Sequence, residues 1–107
     1  MTFQEVCRLS DLKDSMPVQF TVDGTAIAVV RVAHEVFAVN DTCTHGQVSL
    51  AEGEVDDCTL ECWLHGSRFD LRTGAPTGLP ATQPIAVYEV RLEGVGPDAQ
   101  VLVAVNN

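Results

Sequence analysis

The sequence predicts an all-β domain built from short antiparallel strands, and three observations carry that prediction. Apolar and polar residues alternate in brief runs, as where Val18, Phe20 and Val22 flank Gln19 and Thr21, the period of a half-buried strand. Turn-forming pairs follow these runs, beginning with Asp23-Gly24, which suits a two-residue hairpin. No stretch keeps a helical period over three turns.

Taken in order, residues 2–7 are the first expected strand, and residues 10–13 a turn or single helical turn. Strand 18–22 passes through Asp23-Gly24 into a longer one at 25–32. A turn at Ala33-His34-Glu35 leads to strand 36–39 and makes His34 a solvated surface residue, not a ligand. Three consecutive strands of this kind describe an antiparallel meander. Asn40-Asp41-Thr42 open a loop, and Asp56-Asp57 mark a turn further on. Residues 59–61 read as a strand that delivers Cys62, and residues 69–71 as its neighbour, with Arg72-Thr73-Gly74 turning the chain. Residues 75–84 carry Pro76, Pro80 and Pro84 and read as irregular. Strands 85–93 and 100–105 close the domain, joined through Gly94-Val95-Gly96-Pro97-Asp98; Val101, Val103 and Val105 alternate, so the last strand packs back on the meander.

The 107 residues suit a single domain, 1–107, able to bury one core but not two. The longest aliphatic run, from Ala26 to Val30, is far short of a membrane span. The start, Met1-Thr2-Phe3-Gln4-Glu5, has no basic region and no apolar segment, so no signal peptide is expected. A soluble cytoplasmic protein is the expectation, with no membrane partner. Fifteen acidic against six basic side chains give a net charge of −9. That argues against nucleic acid, whose phosphates need clustered Lys and Arg. The charge serves solubility, or steers the protein toward a basic patch on a partner.

The chemistry is concentrated in two stretches, Cys43-Thr44-His45-Gly46 and Cys62-Trp63-Leu64-His65-Gly66-Ser67. Each offers one thiol and one imidazole with a glycine directly after, and Gly46 and Gly66 permit backbone angles and close approaches that a side chain would obstruct. Cysteines in a cytosolic chain are metal ligands or buried thiols more often than disulfides. Two sulfurs and two nitrogens suit structural zinc, and equally a [2Fe–2S] centre in which histidines replace cysteines on one iron. Zinc modules usually pair like ligands within one knuckle; here each stretch gives one of each, which a binuclear cluster explains better. The remaining cysteines, Cys7 and Cys58, sit in strand-like surroundings and are read as buried thiols, with no bridge expected between them. No nucleophile, phosphate-binding loop or flavin fingerprint is present, so no bond chemistry is expected of the chain itself.

The spacing C-x-H, sixteen residues (46–61), then C-x-x-H, resembles the Rieske [2Fe–2S] signature, and the continuation from His65 to Gly74 resembles the segment that closes the second cluster loop in Rieske ferredoxins. The resemblance covers most of the chain and is most specific over residues 41–84. It implies a Rieske-like antiparallel β-sandwich with an inserted cluster-binding subdomain at about 41–71. It implies that Cys43 and Cys62 hold the inner iron of one Rieske-type cluster, and His45 and His65 the outer, reducible one. A proline loop, matched by Gly78-Leu79-Pro80-Ala81, covers one side of the cluster in such proteins. Together with Gly46, Gly66 and Ser67, Pro80 is expected to surround the ligands; Trp63 either packs as a plug or shapes the docking surface.

The whole resembles the ferredoxin component of multicomponent aromatic-ring dioxygenases of the biphenyl or naphthalene type. That implies a monomeric one-electron carrier between an NAD(P)H-dependent flavoprotein reductase and a terminal non-haem iron oxygenase. A Rieske-like small subunit of an assimilatory nitrite reductase, and a ferredoxin serving another oxygenase or cluster assembly, stand as alternatives. A zinc-stabilised interaction module is the non-redox one. Length argues against an oxygenase catalytic subunit: His34 is the only spare histidine, too few for a 2-His-1-carboxylate site. High-potential relatives have a tyrosine two places after the serine and a disulfide between the loops. Here Phe69 stands in the tyrosine's place and Gln47 and Trp63 in the neighbourhoods of the extra cysteines. The expected potential is therefore in the lower half of the family range, roughly −150 to +300 mV, with Ser67 raising it modestly. A reduced cluster holds an imidazole proton more tightly, so the midpoint is expected to fall as pH rises through alkaline values.

Overall fold

The computed structural model describes residues 2–44, 46, 48–64 and 66–105. They form ten strands and three single 3-10 turns, with no α-helix among the described residues. In chain order the strands are β1 (Phe3–Arg8), β2 (Val18–Val22), β3 (Thr25–Val32), β4 (Glu35–Asn40), β5 (Glu54–Asp56), β6 (Thr59–Glu61), β7 (Arg68–Asp70), β8 (Pro76–Gly78), β9 (Val87–Glu93) and β10 (Gln100–Ala104). A six-stranded sheet runs β1-β10-β9-β4-β3-β2 and a four-stranded sheet runs β5-β6-β7-β8, antiparallel throughout.

The large sheet folds over at β9, which pairs with β4 through Val87 and Tyr88 and with β10 from Glu89 to Glu93. That turnover brings edge strand β1 toward β2, where Gln4 Nε2 donates to Asp23 Oδ1 at 2.7 Å. The β2–β3 turn has positive φ at both Asp23 and Gly24 (50° and 79°), the primed hairpin geometry that matches strand twist.

β3 explains how the two sheets fit together. Ile27, Ala28, Val29 and Val30 are all fully buried, although alternation should expose every second one. Ile27 and Val29 face a cluster with Leu12, Val22, Ala38, Val101 and Val103 inside the folded large sheet. Ala28 and Val30 face a second cluster with Val39, Leu50, Leu60, Phe69, Leu71 and Ile85. The small sheet thus covers the outer face of β3 and β4, and an aliphatic run is what a strand buried on both faces requires. The expectation of one core is corrected: there are two, sharing the β3–β4 ladder as their common wall.

Two further expectations change. Residues 75–84 are not wholly irregular, because Pro76–Gly78 pairs with β7 as an edge strand; an edge position tolerates a proline, which has no N–H to donate inward. Cys58 is not in a strand but in the β5–β6 turn, where Asp57 and Cys58 both have positive φ (49° and 62°). His34 is exposed in the β3–β4 turn, as expected.

Candidate metal centre

The two cysteine-bearing stretches are built alike. In the first, Thr42 and Ser49 form an antiparallel bridge, and just inside it the Cys43 N–H donates to Val48 O at 3.0 Å. In the second, Glu61 pairs with Arg68, and just inside that pair the Cys62 N–H donates to Ser67 O at 2.7 Å. Each cysteine therefore stands at the base of a tight hairpin whose N–H bond closes on the fifth residue after it. Cys43 and Cys62 are 0% and 2% exposed, among Leu50, Leu60, Phe69 and Ile85. The two expected histidine ligands, His45 and His65, lie outside the described residues.

The hairpins meet. A Cβ placed on Gly46 would come within 2.8 Å of Leu64 Cδ2, so the first glycine serves close approach. The second serves conformation: Gly66 has φ +77° with open space around it, an angle costly for any residue with a side chain. The sequence assigned both freedoms to both glycines; the structure divides them.

A third segment is bonded to each hairpin. Thr44 Oγ1 donates to Gln83 O at 2.8 Å, and the fully buried Ser67 Oγ accepts from Ala81 N at 3.2 Å. The proline segment thus holds both loops, with Pro80 half-buried beside Ala81. Trp63, Leu64 and Leu79 are 52%, 37% and 79% exposed. Trp63 is therefore not a packed plug. It stands on the same hairpin as Leu64, while Leu79 belongs to the segment bonded to both loops.

The roots of the first loop are polar, and sequence periodicity gave no signal for them. Asn40 donates its N–H to Ala86 O (2.9 Å) and its side chain to Tyr88 Oη (3.1 Å), while its Oδ1 accepts from Thr42 N (3.0 Å). Asp41, 2% exposed, accepts at Oδ1 from Ala51 N (2.9 Å) and at Oδ2 from Ser49 Oγ (2.7 Å) and Gln19 Nε2. At the other end, Arg72 grips Glu35 with both terminal guanidinium nitrogens, Nη1 and Nη2 (3.0 and 3.3 Å), and lies over the Phe37 ring, 5.2 Å from its centroid, so the turn after β7 is tied to β4. That hydrogen-bonded guanidinium holds the Glu35 carboxyl below its ordinary value.

No disulfide is formed among the described residues. Cys7 packs against the inner core and Cys58 against the outer one, and both are half-buried, not the buried thiols expected. Burial, reinforced by Asp11 and Glu5, pushes the Cys7 thiol up to about 11, and burial also raises Cys58. Cys43 and Cys62 differ from both in being fully enclosed at matching positions of two loops in contact. Two soft donors so placed fit an iron–sulfur group. Among the described residues no helix is long and apolar enough to cross a membrane.

Comparison with known proteins gives the family and the fold. The chain is 38% identical over 95 residues to the biphenyl dioxygenase ferredoxin subunit of Pseudomonas sp. (strain KKS102), covering 88% of this chain and 87% of the relative. Its fold superposes on the ferredoxin of carbazole 1,9a-dioxygenase from Nocardioides aromaticivorans IC177 with a TM-score of 0.91 at 39% identity, covering 97% and 98% of the two chains. It also superposes on a chain from a complex of reduced oxygenase and oxidized ferredoxin in carbazole 1,9a-dioxygenase, with a TM-score of 0.85 at 37% identity, covering 94% and 100%. Residues 2–89 match the Rieske [2Fe–2S] domain, and with its paired cysteine hairpins the chain belongs to that family.

Proposed function

We propose that Cys43, His45, Cys62 and His65 hold one Rieske-type [2Fe–2S] cluster and that the protein carries single electrons from a flavoprotein reductase to a terminal non-haem iron oxygenase. The observation that carries this is the pair of matching hairpins, each with a buried cysteine at its base, in contact through Gly46 and Leu64. When bound, the cluster supplies a one-electron couple whose potential is raised by exchanging two anionic thiolates for neutral imidazoles. The chain's own residues enclose it: Cys43 and Cys62 sit in the outer core away from water, and Ser67 holds the proline segment against the second loop.

The surroundings of the loops suit brief docking. Trp63, Leu64 and Leu79 offer exposed apolar contact, and on the small sheet Asp56 and Glu61 share the cation Arg68 while Glu54 lies opposite Glu61 with no ion pair among the described residues. Apolar contact fringed by negative charge favours a basic partner surface and fast, salt-sensitive association. Proteins similar to this one are ferredoxin subunits of dioxygenases, and one forms a complex with an oxygenase; the same kind of partner is proposed here. We take residues 1–107 as one domain acting as a cytoplasmic monomer.

The test is anaerobic isolation with iron and acid-labile sulfide analysis, followed by reconstitution with a flavoprotein reductase and an aromatic-ring oxygenase. Two irons and two sulfides per chain, a Rieske electron-spin signal, and turnover that needs this protein are expected. Colourless protein containing zinc, or turnover unaffected by its omission, would overturn the proposal.

A further inference from the structure

We propose that Asp41 is the positioning residue of the first ligand loop, its buried carboxylate clamping residues 49–51 so that Cys43 is presented in one place. Asp41 and Ser67 are the two buried polar or charged residues among those described. An enclosed carboxylate is costly unless its oxygens are satisfied. No ion pair among the described residues reaches Asp41; its three side-chain partners, Ala51 N, Ser49 Oγ and Gln19 Nε2, are all neutral donors. The main chain adds two bonds at the same residue: Asp41 O accepts from Leu50 N at 2.6 Å, and Asp41 N donates to Ala26 O at 3.0 Å on β3. Residue 41 is thus bonded to 49, 50 and 51 together, while Gln19 and Ala26 fix it to the large sheet.

Cys43 lies just inside this closure. The Thr42–Ser49 bridge and the Cys43–Val48 bond continue the hairpin that Asp41 begins, so the sulfur's position depends on how firmly the base is shut. Only a short side chain with two acceptor atoms can take all three donors at once. Asparagine can preserve the clamp by another route. Its Oδ1 would keep the Ala51 N–H, and its Nδ2 would donate to a rotated Ser49 hydroxyl and a flipped Gln19 amide. Alanine leaves the donors without their acceptor.

The inference rests on the cluster reading proposed above, and the experiment separates the two. Wild type, Asp41→Ala, Asp41→Asn and Ser49→Ala are purified anaerobically. Each is measured for iron release to a chelator, electron-spin spectrum, and amide hydrogen exchange at Leu50 and Ala51 after the metal is removed. Asp41→Ala is expected to release iron about 10–100-fold faster, as when a partner of a metal ligand is lost. A broadened spectrum and faster exchange at both amides should accompany it, with a lower melting temperature as well, because three donors lose their acceptor. Asp41→Asn is expected to stay close to wild type in all three. Ser49→Ala, which removes one bond, should fall between, and it keeps the test open should Asp41→Ala fail to fold. Wild-type release and spectrum in Asp41→Ala and Ser49→Ala would overturn the clamp, as would an Asp41→Asn variant as leaky as the alanine. A wild type without iron and sulfide would instead refute the cluster reading, with the apoprotein exchange rates still reporting on the clamp.

Discussion

Gly46 of the Cys43 hairpin lies against Leu64 of the Cys62 hairpin, so closely that a Cβ on the glycine would sit 2.8 Å from Leu64 Cδ2. The obstacle is the far end of a side chain that is 37% exposed, and it can swing outward. Gly46→Ala is therefore expected to cost only about 0.5–1 kcal/mol in denaturant unfolding, with the cluster's absorption kept. A Val at 46 should cost more, because its branches reach beyond the space Leu64 can vacate. The check is a double-mutant cycle: in a Leu64→Ala background, Gly46→Ala should be nearly neutral. An undiminished cost there would show that the hairpins do not meet through this pair.

The proline segment holds each cysteine-bearing loop by one hydrogen bond, and the two bonds differ in burial. Thr44 donates to Gln83 O where water can take over, so Thr44→Val is expected to cost about 0.5–1.5 kcal/mol. Ser67→Ala leaves the buried Ala81 N–H without an acceptor, which costs about 1–3 kcal/mol. Urea unfolding of both variants, followed by cluster absorption, gives the order. A larger loss for Thr44→Val would reverse the relation drawn here.

Much of the fold could be read from residues, and the misses share a cause. The Asp23-Gly24 hairpin and the strand from Thr25 to Val32 follow from local turn chemistry and alternation, and the spacing of Cys43 and Cys62 marked the two loops that carry them. What local pattern does not reveal is what covers each face. The run from Ala26 to Val30 was legible as a strand, but its burial on both sides needs the small sheet, whose strands are three residues each. Pro76–Gly78 joins that sheet only because β7 offers an edge. Asp41 carries no periodic signal, since a buried carboxylate is defined by its donors Gln19, Ser49 and Ala51, of which Gln19 lies on β2. The donors sit 22, 8 and 10 residues away, out of reach of any window of alternation.

Phe69 is fully buried with Leu60, Leu71 and Ile85 and brings no hydroxyl into the outer core. Ser67 is the described hydroxyl enclosed with the cysteines, and its oxygen already accepts from Ala81, leaving its proton for one further acceptor. Fewer hydrogen bonds to sulfur mean a less stabilised reduced state. The midpoint is expected in the lower half of the range from about −150 to +300 mV, with Ser67→Ala lower still. Protein-film voltammetry at neutral pH measures both, and a strongly positive wild-type value would contradict the account.

Cys7 lies on β1, half-buried against the inner core, and burial raises its thiol from 9.0 to about 11. In the unfolded chain the thiol ionises at the lower value, so between the two values the unfolded state sheds its proton first. The contribution is whole below pH 9 and is lost as pH climbs toward 11. Cys7→Ala, which has no thiol to ionise, should lose less stability than wild type over that interval. Native Cys7 should also alkylate far more slowly at pH 9 than the same residue in urea. Equal rates in the two states would show the thiol is not shielded.

The Glu35–Arg72 pair is the point at which the β3–β4 hairpin holds the turn after β7, and its acid dependence has a definite sign. The guanidinium bond lowers the Glu35 carboxyl from its ordinary 4.5, so the pair's contribution is present above that value. It is lost as pH falls through the lower, folded value. Both side chains are exposed, at 59% and 54%, so salt screens the attraction. Part of the contact survives screening, because Arg72 also stacks over Phe37 and that packing does not need the carboxylate. Glu35→Gln should therefore melt slightly below wild type at pH 7, with the gap closing toward pH 3 and in 1 M salt. Arg72→Met should keep a residual deficit under both conditions, through the lost guanidinium stacking on Phe37. A Glu35→Gln deficit as large at pH 3 as at pH 7 would mean that the hairpin is held by something other than this charge pair.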